Sequence, residues 1–187
     1  MFQKLVCLVA FIAGSLCFSH SLAQEAEPEF IGDVFILDED GKYLQADKEI
    51  AAFTTGISFR YNSYNATSLE IPGGKAQTRT SQKKNVRLIV RATDNNSDPL
   101  SIITIYHLKA GRKKRSTLLS VDNTGTIMKS RTSTKNILSF SGKKYGQASY
   151  LLVLEELVPG EYGVIITNPN NRDEKRVVVS CFGVDKL

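Results

Sequence analysis

The chain has 187 residues, 24 Lys and Arg against 19 Asp and Glu, a formal net charge of +5 at pH 7, three cysteines and no Trp. So mild a positive excess rules out a polyacidic tail and argues against dedicated nucleic-acid binding, while leaving room for weak attraction to anionic surfaces or glycans. Two of the three cysteines, Cys7 and Cys17, lie near the N-terminus, which excludes a disulfide-stapled scaffold for the remainder.

The first element in chain order is a targeting segment. Lys4, the uncharged apolar run Leu5 to Phe18 and the small residues around Ser21-Leu22-Ala23 predict a signal peptide over residues 1–23, cleaved after Ala23. The apolar run is shorter than the roughly 20 residues that cross a bilayer, so no transmembrane segment is expected after its removal. Lipidation at Cys17 is disfavoured because Leu16 and Gly14 occupy the positions where a small and a Leu-like residue are required. The mature chain is then exported, to the periplasm or beyond the cell. It starts at Gln24 and keeps Cys181 and His107 as its only thiol and imidazole. That count leaves no intrachain disulfide and no cysteine-based metal site.

Gln24 to Glu29 is an acidic, Pro-containing stretch expected to form a flexible leader. Residues 30–187 read as one β-rich domain, with short apolar runs punctuated by Gly, Asn, Asp and Pro. Val34 to Leu37 and Lys42 to Leu44 predict a hairpin turning on Asp40-Gly41. Asp47 to Phe53 is the one weak helix candidate. In Asn85 to Ala92, Val86, Leu88, Val90 and Ala92 share one face of a strand, and Arg87 and Arg91 share the other. A polar turn from Thr93 to Pro99 leads into Leu100 to Leu108, apolar on both faces as a central strand is. Lys109 to Arg115 and Asn123 to Lys144 read as loops. Ser149 to Leu157 is another strand, and Tyr162 to Thr167 with Arg176 to Phe182 predicts a terminal hairpin. Roughly nine or ten strands at this spacing predict an all-β, immunoglobulin-like antiparallel sandwich, with a barrel or jelly roll as the alternative.

Catalytic constellations are hard to assemble from these residues. A Ser-His-acid or Cys-His site must use His107, whose neighbours Ile105, Tyr106 and Leu108 offer neither nucleophile nor orienting acid. Glu155 and Glu156 are adjacent on a strand and point to opposite faces, so they cannot act as one acid–base pair. Asp38 and Asp40 flank a turn, where Asp serves the local backbone, and they lack the terminal Glu of a calcium loop. No metal or other cofactor is expected. The feature with a mechanism attached is the basic cluster Lys109, Arg112, Lys113, Lys114 and Arg115, a weak binding site for an anionic partner. Lys83-Lys84 and Lys143-Lys144 would extend it if the fold gathered them at one end. Cys181, on the face of Val177 and Val179, is expected to be a buried small hydrophobe.

The stretches Asn96-Ser97-Asp98-Pro99-Leu100-Ser101-Ile102-Ile103, Lys144 to Leu152, Pro159-Gly160-Glu161-Tyr162-Gly163 and Cys181-Phe182-Gly183-Val184-Asp185 resemble uncharacterised exported β-sandwich proteins of Bacteroidetes. Phe35-Ile36-Leu37 with the Asp40-Gly41 turn resembles that group's opening hairpin. The resemblance implies a fold and a compartment, and it carries no catalytic motif. The expected function is therefore a non-catalytic secreted or envelope-associated binding or structural module that contacts a protein or glycan, and not nucleic acid. The competing class is a glycan-active hydrolase or lyase working through carboxylate and Tyr chemistry without histidine.

Overall fold

The computed structural model describes residues 26–38, 40–58, 64–123, 129–167 and 176–186. Residues 1–25, with the predicted signal peptide and Cys7, Cys17 and His20, lie outside the described residues, as does the expected loop from Asn168 to Glu174. What is described is nearly all β and overwhelmingly antiparallel, as the alternating pattern requires.

One sheet has five strands in the order β10 (Ser141–Tyr145), β11 (Ser149–Glu156), β6 (Lys84–Arg91), β1 (Val34–Leu37) and β2 (Tyr43–Gln45). The predicted first hairpin is here, with Leu37 opposite Tyr43 and Gly41 at φ +75°, the left-handed conformation that such a turn asks of glycine. Val86, Leu88 and Val90 of β6 face the core together with Val34, Ile36, Tyr150, Leu152 and Leu154.

The second sheet closes on itself. β12 (Gly160–Ile166), β7 (Ile103–Ala110), β8 (Lys114–Asn123), β4 (Tyr64–Pro72), β3 (Asp47–Ser58) and β13 (Arg176–Val184) pair in that order. β13 then returns to β12, with Tyr162 opposite Phe182, which makes a closed six-strand barrel. The short β5 (Arg79–Thr80) and β9 (Lys129–Thr132) flank it on β13 and β8. The five-stranded sheet lies against the outside of the barrel wall made by β7, β12 and β13. Two cores result, and strand alternation sorts residues between them. Ile103, Ile105, Tyr162, Val164, Phe182 and Val184 face the sheet. Leu108, Val179 and Cys181 face the barrel interior, joined by Ala51, Leu69, Ile71 and Ala76.

Several local expectations change. The expected loop from Asn123 to Lys144 carries β9 and most of β10, and β7 and β8 run into the ends of the expected loop from Lys109 to Arg115. Asp47 to Phe53 is the start of a strand, β3, and not a helix. The only described helix is a single turn, α1 (Pro99–Ile102), which Asp98 caps by accepting a hydrogen bond from the Leu100 amide at 2.9 Å. The stretch before residue 30 is anchored at Glu27, whose carboxylate pairs with Arg91 and Ser149 at 2.5 and 2.6 Å. A packing detail fixes the β11–β12 corner: the Tyr162 hydroxyl donates to the Val158 carbonyl four residues upstream, the geometry of a tyrosine corner.

Candidate functional site

The basic cluster occupies the β7–β8 hairpin. Lys109, Arg112, Lys113 and Lys114 are exposed. The turn is closed by the Gly111 amide donating to the Lys114 carbonyl at 2.9 Å. A second loop, Gly73 to Lys75, lies against it: the Gly73 amide donates to the Lys113 carbonyl at 2.9 Å. Gly74 makes this approach possible, since a Cβ there would stand 2.5 Å from the Gly111 carbonyl oxygen. The next residue, Lys75, is exposed and adds a cation the sequence pattern did not associate with the cluster. The tip is thus two loops braced together, and not a free hairpin end.

Its charges are not equivalent. Lys114 is paired with Glu70 at 2.5 Å. Arg115 turns the other way, into the barrel, where it is only 1% exposed. Its Nε donates to the Gly73 carbonyl at 3.1 Å and one Nη to the Pro72 carbonyl at 3.0 Å. Glu49 and Glu161 stand at 3.8 and 3.9 Å, close enough for Coulomb attraction and too far for a hydrogen bond. Arg115 therefore cannot reach an outside partner. Lys109, Arg112 and Lys113 form no ion pair among the described residues.

The same barrel end holds a charge network that the sequence did not suggest. Arg79 bridges Glu161 at 2.7 Å and Asp185 at 2.6 Å. Burial works against its charge, but these two carboxylates outweigh it and raise its pKa. Glu161 also accepts the Ala76 amide at 2.7 Å, and Asp47 accepts the Gln77 and Thr78 amides. Residues 72–80 are thereby pinned across the barrel mouth, with Ala76 in the core. The signal for Glu161 was its alternation with Gly163 and Ile165, which its charge obscured. This network is a structural plug: every carboxylate in it is consumed by a backbone amide or an arginine.

The remaining candidates take packing roles. His107 is partly buried against Tyr162, ring centroids 5.1 Å apart, and its Nε2 fills the space over Gly160. Cys181 is fully buried in the barrel core, as its position beside Val179 predicts. Burial pushes its thiol up to about 12. Asp94 accepts the Asn96 amide at 2.8 Å and so serves its own loop. Among the described residues no three metal-ligating side chains come together, and no helix is long and apolar enough to cross a membrane.

The other two basic pairs lie toward opposite ends of the five-stranded sheet, so the fold does not gather all three clusters at one end. Lys84 lies opposite Glu156 at one end of β11, and Lys144 lies opposite Tyr150 near the other. At about 3.3 Å per residue these are roughly 20 Å apart. Compared with family models, with curated proteins and with solved structures, the chain matches none.

Proposed function

We propose that the chain is an exported, non-catalytic binding module that contacts a protein or glycan partner of the envelope, with the β7–β8 tip as its contact surface. The observation that carries this reading is the braced tip itself. Lys109, Arg112 and Lys113 project from a turn that Gly73 and Gly74 lock in place, beside Lys75. Cations that form no ion pair among the described residues keep their field for an outside anion, and a rigid loop loses little entropy when that anion arrives. The packing of His107 against Tyr162 and the burial of Cys181 fit a non-catalytic role. The immunoglobulin-like part of the reading finds support in the tyrosine corner at Tyr162 and in the sheet layered on β7, β12 and β13. Export rests on the resemblance and on residues 1–23, and an intact mass beginning at Gln24 is the expected product.

The test is retention on a polyanion column over a salt gradient. Changing Lys109, Arg112 and Lys113 to Gln should advance elution, and the difference should shrink as salt shortens the Debye length from about 8 Å. The melting temperature should hardly move, since exposed charges contribute about 0–1 kcal/mol. Equal retention of variant and wild type would discard the tip as a contact surface. Turnover of any chromogenic glycoside would discard the non-catalytic reading.

A further inference from the structure

In the five-stranded sheet, which does not include the tip, the β10–β11 turn is built to hold a carboxylate. Gly146 sits at φ +54°, so the amides of Gln147 and Ala148 project as a small anion-receiving nest. Ser149, fully buried, adds its hydroxyl, and Arg91 on the adjacent β6 adds a guanidinium. Asn95 props the turn by donating to the Gly146 carbonyl at 3.3 Å. In this structure Glu27 fills the nest. Its Oε1 accepts the Gln147 amide; its Oε2 accepts Arg91 Nη1 at 2.5 Å, Ser149 Oγ at 2.6 Å and the Ala148 amide at 3.3 Å. A Cβ on residue 146 would stand 1.9 Å from Glu27 Oε1, so the approach depends on glycine. Pro28 is buried beside it, while residues 26–33 belong to no strand.

We propose that Arg91, Gly146, Gln147, Ala148 and Ser149 form a peptide-carboxylate site whose ligand is a glutamate followed by proline, supplied in cis by Glu27 and exchangeable for the same chemistry in trans. Two features argue for exchange. The donors are all fixed by strands and a turn that do not include the arm, so the receptor persists when the arm leaves. Residues 26–29 are held through Glu27 and give up no strand pairing on release, because the backbone bonds to β6 begin only at Gly32 and Asp33, which meet the Arg91 carbonyl and amide at 3.0 Å. The balance at Glu27 agrees: burial alone would raise its pKa, yet the Ser149 hydroxyl, the two amides and Arg91 together hold it below the ordinary carboxylate value. An acidic peptide end on a partner protein is the occupant this chemistry selects.

The experiment uses the full chain with Glu27→Gly, which leaves the nest open, and a blocked peptide of residues 26–30 as probe. Nuclear magnetic resonance of the Gln147 and Ala148 amides should show saturable shifts on titration. The peptide's Glu27→Gln counterpart should bind at least about tenfold more weakly, because a charge-assisted set of bonds becomes neutral. Wild type should need far more peptide, since its own arm competes. Should Glu27→Gly fold poorly, Glu27→Gln keeps the arm in place with a weakened hold, and peptide should displace it at about tenfold lower concentration than in wild type. Absence of saturable shifts in both variants, or equal binding of the two peptides, overturns the proposal. Neutralising Lys109, Arg112 and Lys113 should leave these shifts unchanged, which separates this site from the tip.

Discussion

A guanidinium inside a barrel must find its partners there, and Arg115 takes two carbonyls of the plug and the field of Glu49 and Glu161. Arg115→Ala would strip the Pro72 and Gly73 carbonyls of their donor and leave Glu161 with less compensating charge. Breaking such a buried arrangement costs about 3–5 kcal/mol, which urea unfolding should read as a lower midpoint at unchanged slope. A loss below about 1 kcal/mol would mean that water replaces the side chain. Cys181 gives a second test at this scale. Its folded thiol is pushed up to about 12 against an ordinary 9.0, so the fold favours the protonated form. The native chain should resist an aromatic disulfide reagent at pH 8 and react once unfolded. The associated stability is full below pH 9.0 and is lost as pH rises toward the folded value. Glu27 has the opposite sign. Its pKa is lowered from 4.5, so its contribution is present above that value and fades as pH falls through the lower folded one. Glu27→Gln should therefore lower the melting temperature at neutral and alkaline pH, with the difference from wild type closing as pH falls through the acid limb.

At the scale of elements, the brace between the Gly73–Lys75 loop and the β7–β8 hairpin depends on one missing side chain. Gly74→Ala would set a Cβ 2.5 Å from the Gly111 carbonyl oxygen and 3.1 Å from that of Arg112, backbone atoms that cannot rotate away. Overpacking of this kind costs about 1–3 kcal/mol, and thermal melts of the variant should show it. What was legible in the sequence follows the same local logic. The β1–β2 hairpin, the alternation in β6 and the β12–β13 hairpin declared themselves because apolar residues marked one face and a turn residue sat between strands. β3 did not. Its inward positions begin with Asp47 and Glu49, which face Thr78 and Arg115, so charge masked the period until Ala51. Arg115 was hidden likewise, inside a run of cations of which the others are exposed. Only the alternation carried back from Leu119 through Thr117 would have exposed it.

At the scale of the whole molecule, barrel closure was illegible because it is a matter of distant pairs. Ala52 meets Arg176, and Gly163 meets Cys181, and nothing local to either strand names its partner. Closure has an energetic consequence. β7, β12 and β13 present one core to the five-stranded sheet and the other to the barrel, so each core is lined by the back of the other's wall. Gly163 lets Val179 and Leu108 close in on the barrel side, while Tyr162 stacks on Phe182 at 5.3 Å on the sheet side. Volume removed from either core should loosen a strand that both need. Phe182→Ala, in the sheet-side core, should cost about 3–5 kcal/mol, and Leu69→Ala, in the barrel core, about 2–5 kcal/mol. Both should still unfold in one step. The probes are far-ultraviolet circular dichroism for the strands and tyrosine fluorescence, to which Tyr150 and Tyr162 report from one core and Tyr106 from the other. Coincident transitions in both variants are expected of cores joined through a common wall. A Leu69→Ala protein whose circular dichroism fell in two steps would show instead that the barrel can open while the sheet-side core holds, and the shared wall would then be a contact between two separately stable halves.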